Sequence, residues 1–334
     1  MRKKAVNFAR LKPNQGNASI YATIALFILL FVAGGIKYDN FFSVQVFSNL
    51  LIDNSYLIAL TIGETFTILT GGIDLSVGAM VAFVSMITGA LLQKGVNPIL
   101  VMMFVLFVGI VIGTTQGYLI QRFKLHPWII TLAGMFFARG AAYLISVDSI
   151  SINNPMFSGI ASFRIHLGQN AFVSINVIVS LLLVVAAIYI LKYTKFGRNI
   201  YAIGGSENSA ILMGLPVAKT KILVYTFSGF CSALGGLLYT IYTSSGYGLH
   251  CNGTEMDAIA ASVIGGVILT GGFGSAIGPL FGVLTTGVIQ NLIIFDGTLN
   301  SWWTKIAVGM LLFIFIALQR FIVIKNEKRK TVVT

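Results

Sequence analysis

Charged residues are scarce in this chain, at 10% of 334 positions. A soluble domain carries about a quarter. With 56% hydrophobic residues, the apolar surface exceeds what a single aqueous core buries, which excludes an ordinary soluble fold. Acidic residues are scarcer than basic ones, 10 against 22, for a net charge of +12. The basic residues sit in loops and tails, not on one face interleaved with aromatics, so nucleic acid is excluded as a partner. Cysteine is limited to Cys231, in an apolar run where it reads as a small core residue, and Cys251. Their spacing argues against a disulfide. His126, His166 and His250 share neither a span nor a ligand spacing, so no metal centre is expected. There is no G-x-x-x-x-G-K-[ST] motif, which excludes ATP binding through a P-loop. No nucleophile or paired-acid constellation stands out, so the reading is a non-enzyme that needs no cofactor. The first apolar run, from Ile20, meets Gly34-Gly35-Ile36 without a cleavage site and reads as a retained span, not a signal peptide.

What the chain has in abundance is apolar runs near the roughly 20 residues that cross a bilayer as a helix. They fall at 19–36, 47–70, 76–92, 98–121, 127–146, 172–192, 220–242, 255–271, 275–294 and 301–321. The expected fold is all-α, a polytopic transmembrane bundle of about ten spans with Gly-broken helices, forming one domain over 1–334. With the N-terminus inside, inner segments carry seventeen Lys/Arg, and outer segments only Lys37, Lys94 and Arg164. That asymmetry predicts both termini in the cytoplasm, with tails at 1–18 and 322–334 and a cytoplasmic segment at 193–219. Arg139 and Lys305 are left within spans.

The sharpest local feature is Thr70-Gly71-Gly72-Ile73-Asp74-Leu75-Ser76-Val77-Gly78. Its glycines release backbone from helical bonding and admit a second backbone. Asp74 or Ser76 can cap the following helix. A carboxylate this near hydrocarbon has to be capped, paired or hydrated, so Asp74 either holds the break or faces a ligand. Asp53, Asn54 and Glu64 lie on the second span. Eleven residues separate the two acids, about three turns, which places both near one face of a continuous helix. Such a face can line a path for a polyhydroxylated solute. Alternatively, Asp53 lies near the outer surface and Glu64 pairs with Arg139 or Lys305. Gln116 sits among Gly109, Gly113 and Gly117, a spacing that lets helices pack closely, and itself needs a partner. Glu255 and Asp257 open the eighth span, where the helix dipole favours anions. Ile68-Leu69-Thr70-Gly71-Gly72 recurs as Ile268-Leu269-Thr270-Gly271-Gly272, and Gly78 as Gly278, an echo that reads either as a repeat or as chance in a Gly-rich chain.

The polar stretch Thr194–Pro216 is flanked by Lys192, Lys195, Arg198, Lys219 and Lys221. Ser206 is placed to cap a short helix over Asn208–Met213, with Glu207 in its first turn and Gly214-Leu215-Pro216 as its stop. It is either a docking element for a cytoplasmic partner or a plain cytoplasmic loop.

From about Phe42 to Arg320 the chain resembles the membrane permeases of ribose-type ABC sugar importers. The resemblance rests on Gly71–Gly78, on Phe196-Gly197-Arg198 through Gly205, and on Asp257–Gly274. The runs Thr131–Gly140 and Phe295–Lys305 are similar to permeases of bacterial galactofuranose importers. The resemblance implies a subunit of the bacterial inner membrane without catalytic chemistry of its own. Its implied partners are a cytoplasmic ATPase, a soluble binding protein that delivers the monosaccharide, and a second permease. Galactofuranose-type systems pair two different permeases, so a heterodimer is implied, with a homodimer as the alternative. The wider importer superfamily carries Glu-Ala-Ala-x-x-x-Gly in its coupling loop, and Asn208-Ser209-Ala210-Ile211-Leu212-Met213-Gly214 occupies that frame here. The implied coupling residues are Gly205, Ser206, Glu207, Asn208, Ser209, Ala210 and Gly214. Asn208 stands where the pattern has Glu, and Glu64 stands where an apolar residue is expected. The candidate path residues are Asp53, Asn54, Glu64, Gly71, Gly72, Asp74, Ser76 and Gln116.

Two other readings stay open on the residues alone. A secondary transporter driven by an ion gradient would need an intramembrane carboxylate such as Glu64. A receptor or scaffold would use the long outer loop 147–170 for recognition.

Overall fold

The structure, a computed structural model, describes residues 15–166, 171–300 and 302–331, with side chains over 19–166, 171–300 and 302–317. Of the expected tails, 1–14 and 332–334 lie outside the described residues, as do the side chains of 15–18 and 322–331. Helix α1 (Gln15–Lys37) is followed by α2 (Val44–Asp53) and α3 (Ser55–Leu69), then α4 (Val77–Gln93), α5 (Pro98–Phe123) and α6 (Pro127–Ile145). A long connection holds β1 (Ile150–Ser151), α7 (Pro155–Ala161), β2 (Arg164–His166) and β3 (Phe172–Ser174). Then come α8 (Ile175–Tyr193), α9 (Lys195–Gly205), α10 (Glu207–Leu212) and α11 (Val217–Thr243). After β4 (Ser245–Gly246) the chain closes with α12 (Thr254–Ile264), α13 (Ile277–Asp296) and α14 (Trp302–Thr331).

Helices dominate because backbone N–H and C=O groups in hydrocarbon have no water to bind and must pair within the segment. Local sequence sets the starts. Asn97 Oδ1 accepts from Ile99 N–H at 2.9 Å with Pro98 at the first turn, and Pro127 opens α6 without a side-chain cap. Six helices are long and apolar enough to cross a membrane, and seven if α2 and α3 count as one bent span. Val77–Gln93 and Trp302–Ala317 are shorter apolar helices. Large side chains such as Ile36, Leu144 and Phe313 stand exposed at 83%, 90% and 75%, the outward apolar surface that lipid or a neighbouring subunit covers.

The bundle is centred on α3, whose residues Leu57 through Leu69 are all buried. It packs against α8, α11, α12 and α13. Helices α5 and α11 meet along a seam of small residues. A Cβ on Gly109 would come within 2.5 Å of Gly229 O, and one on Gly229 would sit 2.9 Å from Gly113 Cα. Backbones this close gain dispersion along the whole contact, the usual basis of helix association in lipid.

Three expectations are revised. The second span is not one helix: it bends by 54° at Asn54, whose Nδ2 donates back to Leu50 O at 2.9 Å. The eighth span stops at Ile264 after 11 residues, because Gly266, at φ +93°, takes a conformation that side chains disfavour and turns the chain out of the helix. The fold is also not purely helical. Loop backbone pairs as β1 with β4 (Ile150 opposite Gly246) and as β2 with β3 (Ile165 opposite Val173).

Candidate substrate path and coupling face

Glu64, Asp74, Ser76 and Gln116 come together in a buried polar knot where the chain passes from α3 to α4. Asp74 Oδ1 accepts from Ser76 N–H at 3.0 Å and from Ser76 Oγ at 2.6 Å. Its Oδ2 accepts from Ser228 Oγ of α11 at 2.7 Å. Gln116 of α5 donates from Nε2 to Ser76 Oγ at 3.1 Å. Glu64 Oε1 accepts from Asp74 N–H at 3.2 Å. Thr131 of α6 donates to Ile73 O at 3.3 Å. Glu64 is 0% exposed and Asp74 1%. Four helices therefore converge on the non-helical residues 70–76, and their side chains supply the partners that a helix would have given this backbone. Two buried oxygens among the described residues lack a hydrogen-bond partner here, Glu64 Oε2 and Tyr225 Oη. Asp74 thus caps the turn, while Ser76 at the N-cap of α4 makes no capping bond of its own.

The alternative in which Glu64 pairs with Arg139 or Lys305 is not what forms. Arg139 Nη1 donates to Gly248 O at 2.8 Å and His250 O at 2.7 Å, and its Nη2 donates to Cys251 O at 3.3 Å. Lys305 pairs with Asp257 at 2.5 Å. Asp53 does not share a face with Glu64: the bend at Asn54 intervenes, and Asp53 accepts from Tyr242 Oη at 3.1 Å while Glu64 is sealed inside. Ser228 and Tyr225 were not singled out in the sequence. The serines Ser228 and Ser232, four residues apart in an apolar run, are the one sequence signal for a polar seam on α11.

The echoed pentapeptides meet in space. Gly272 N–H donates to Leu69 O at 2.9 Å, and a Cβ on Gly271 would sit 2.8 Å from Gly71 N. Both turns form the same internal bond, Gly71 N–H to Ile68 O at 2.8 Å and Gly271 N–H to Ile268 O at 2.9 Å. Helix α9 closes on this contact. A Cβ on Gly204 would strike Leu69 O and Gly272 N, and Tyr201 Oη donates to Gly274 O at 2.8 Å. The next helix, α10, has Ser206 as N-cap, accepting from Ser209 N–H at 3.3 Å. It ends in a left-handed Gly214 (φ +72°), with Leu215 N–H on Ala210 O at 3.0 Å. Ala210 is buried, while Ile211, Leu212 and Met213 are exposed at 52%, 88% and 66%. Glu207 is held by Lys221 at 2.6 Å. Helix α9, in the half of the segment where sequence reading expected no helix, is what seats α10 on the bundle.

At the opposite end of the bundle, Arg139 clips the 248–251 loop to α6. Beside that loop lies a cavity of about 480 Å³ between the starts of α3, α12 and α14 and the ends of α11 and α13. Asn54 is the one candidate path residue that lines it.

A family model described as "Branched-chain amino acid transport system / permease component" matches residues 46–316. An inner membrane ABC transporter permease protein (YjfF) of Escherichia coli strain K12 is 44% identical over 94% of this chain and 96% of its own. A fructose import permease protein (FruG) of Bifidobacterium longum is 38% identical over 92% of each chain. A ribose import permease protein (RbsC) of Haemophilus influenzae is 35% identical over 90% of this chain and 92% of its own. No solved structure matches. With glycine-broken apolar spans and a capped helix beside them, the chain belongs to this permease family, in its ribose-type ABC sugar-importer group, as a multi-pass protein of the bacterial inner membrane.

Proposed function

We propose that the chain is the permease subunit of an ATP-driven importer for a monosaccharide, galactofuranose or a related sugar. The observation that carries this reading is α10: a capped helix with Ile211, Leu212 and Met213 exposed at its end, rooted through α9 on both glycine breaks. An apolar tip on a polar, basic-flanked segment suits the surface of a cytoplasmic ATPase. Residues 194–216 are the coupling segment, with Gly205, Ser206, Glu207, Asn208, Ser209, Ala210 and Gly214 forming its cap, face and stop. The chain crosses the membrane ten times, as α1, the α2–α3 pair, α4, α5, α6, α8, α11, the short α12 continued by the non-helical 265–272, α13 and α14, with 1–18 and 322–334 cytoplasmic. A second, different permease and a soluble binding protein complete the assembly. ATPase closure moves α10, α9 passes the movement to the contact between Leu69 and Gly272, and the breaks at Gly71-Gly72 and Gly271-Gly272 flex. The knot of Glu64, Asp74, Ser76 and Gln116 is the wall that keeps the break in register. Asp53 and Asn54 stand at the outer mouth of the path. Sealing of Glu64 inside the bundle favours this scaffold role over an ion relay on a wet path.

The test is uptake in proteoliposomes that hold the full assembly, with ATP inside and no ion gradient. Uptake that needs both ATP and the binding protein is expected. Gly214→Val should lower it at least tenfold at unchanged insertion, because a β-branched residue cannot hold a φ of +72° without strain. Uptake by the permease alone on a proton or sodium gradient would overturn the proposal.

A further inference from the structure

The cavity at the outer end has a specific lining. Asp257 on α12 and Lys305 on α14 meet across it at 2.5 and 2.7 Å, with Gln290 on α13 and Asn252 in the preceding loop beside them. Tyr56 and Trp302 also line it. The Tyr56 ring packs edge-on against Tyr239, centroids 4.8 Å apart, which fixes its plane. With Asn54 and Tyr239 also in the lining, five helices and a loop thus bring together one carboxylate, one ammonium, three amides and three aromatic rings. Amides both donate and accept, the carboxylate accepts twice, and the ammonium donates, so vicinal hydroxyls find complementary partners. Aromatic faces take the C–H face of a ring. The volume of about 480 Å³ falls within the roughly 300–1,000 Å³ of small-ligand sites.

We infer that this cavity is a sugar site within the permease itself, selective for a neutral monosaccharide. The inference rests on the reading of the chain as a sugar-import permease. Charge decides the class. Asp257 and Lys305 neutralise each other, which leaves the lining without a free cation to hold a sugar acid or phosphate. A neutral sugar can insert between the pair, accepting from Lys305 and donating to Asp257, so the ion pair is exchanged for hydrogen bonds of similar strength. Because both ion-pair members are partly exposed and Gln290 is exposed, substitutions here leave the packed core untouched.

The experiment uses the complete assembly in proteoliposomes, with binding protein in excess and radiolabelled galactofuranose, ribose, fructose and glucuronate as probes. Wild type, Asp257→Asn, Gln290→Ala and Trp302→Ala are compared for uptake, for ATP hydrolysis and for binding-protein docking. The expected result is at least a tenfold loss of neutral-sugar uptake in Asp257→Asn and Gln290→Ala, with docking and basal ATP hydrolysis unchanged. Quenching of protein fluorescence by a neutral sugar, lost in Trp302→Ala, is also expected. Uptake within twofold of wild type in both Asp257→Asn and Gln290→Ala would overturn the site while leaving the importer reading intact. If the wild type takes up glucuronate but no neutral sugar, the selectivity is overturned. Absence of any sugar uptake by the wild type overturns the importer reading and the site with it.

Discussion

Gly72 shows how one hydrogen atom in place of a methyl sets the shape of the α3–α4 break. Its backbone is not left-handed, so Ala is allowed on torsion alone. A Cβ there would run into Tyr225 Oη, while the next nearest ring atom lies at an ordinary 3.4 Å. Gly72→Ala should therefore destabilise the purified protein by about 1–3 kcal/mol through overpacking. Tyr225→Phe should be neutral or slightly stabilising, since the buried hydroxyl it removes has no partner. The double substitution should recover most of the loss. Thermal unfolding in detergent checks this, and a double variant as unstable as Gly72→Ala would refute the contact. The importance of Gly71-Gly72 and Asp74 was legible in the sequence, because glycine pairs and a carboxylate are rare in apolar runs. Their partners were not, since Ser228 lies 154 residues from Asp74 along the chain.

Among the elements, the 248–251 loop depends on α6. Arg139 donates to three loop carbonyls, and no single neighbour in sequence could replace it. Burial pushes the Cys251 thiol up to about 12. A thiolate is the reactive form, so at pH 8, well below that value, the folded loop keeps Cys251 nearly inert. Arg139→Ala removes a cation that by itself favours the thiolate, but release of the loop to water should outweigh that, returning the thiol toward its usual 8.5 or so and raising maleimide labelling at pH 8 by tenfold or more. Cys231, buried in α11, is the internal reference and should stay unlabelled. Equal labelling rates in variant and parent would show that the loop is held by something else. From sequence, Arg139 was a charge within a span with Glu64 as one candidate partner, because its actual acceptors are backbone carbonyls and carry no residue signature.

For the whole molecule, the decisive contact joins α9 to the two glycine breaks. Gly204 meets Leu69 O and Gly272 N, which are backbone atoms and cannot swing aside. Gly140 on α6, outside the coupling segment, has open space where a Cβ would go. Gly204→Ala should lift α9 from the breaks and lower sugar moved per ATP hydrolysed at least tenfold in the reconstituted assembly, whereas Gly140→Ala should leave it unchanged. Similar losses in both variants, or none in either, would refute the transmission route. The echo at an offset of 200 residues acquires a physical sense here: its two copies form like turns that dock on each other.

The sequence by itself determined the solvent of this protein and the identity of its breaks. Apolar runs, sparse charge and lopsided Lys/Arg placement are properties of composition and order, and the capped helix over Glu207–Leu212 follows from Ser206 and Gly214, within reach of one turn. Tertiary structure alone decided which polar groups share an environment. The bend at Asn54 parted Asp53 from Glu64 by changing the helix axis, and the early stop at Ile264 let two remote glycine turns touch. The cavity beside the 248–251 loop collects side chains from five helices and that loop. A contact between segments two hundred residues apart depends on how several helices pack at once, and no local spacing encodes that.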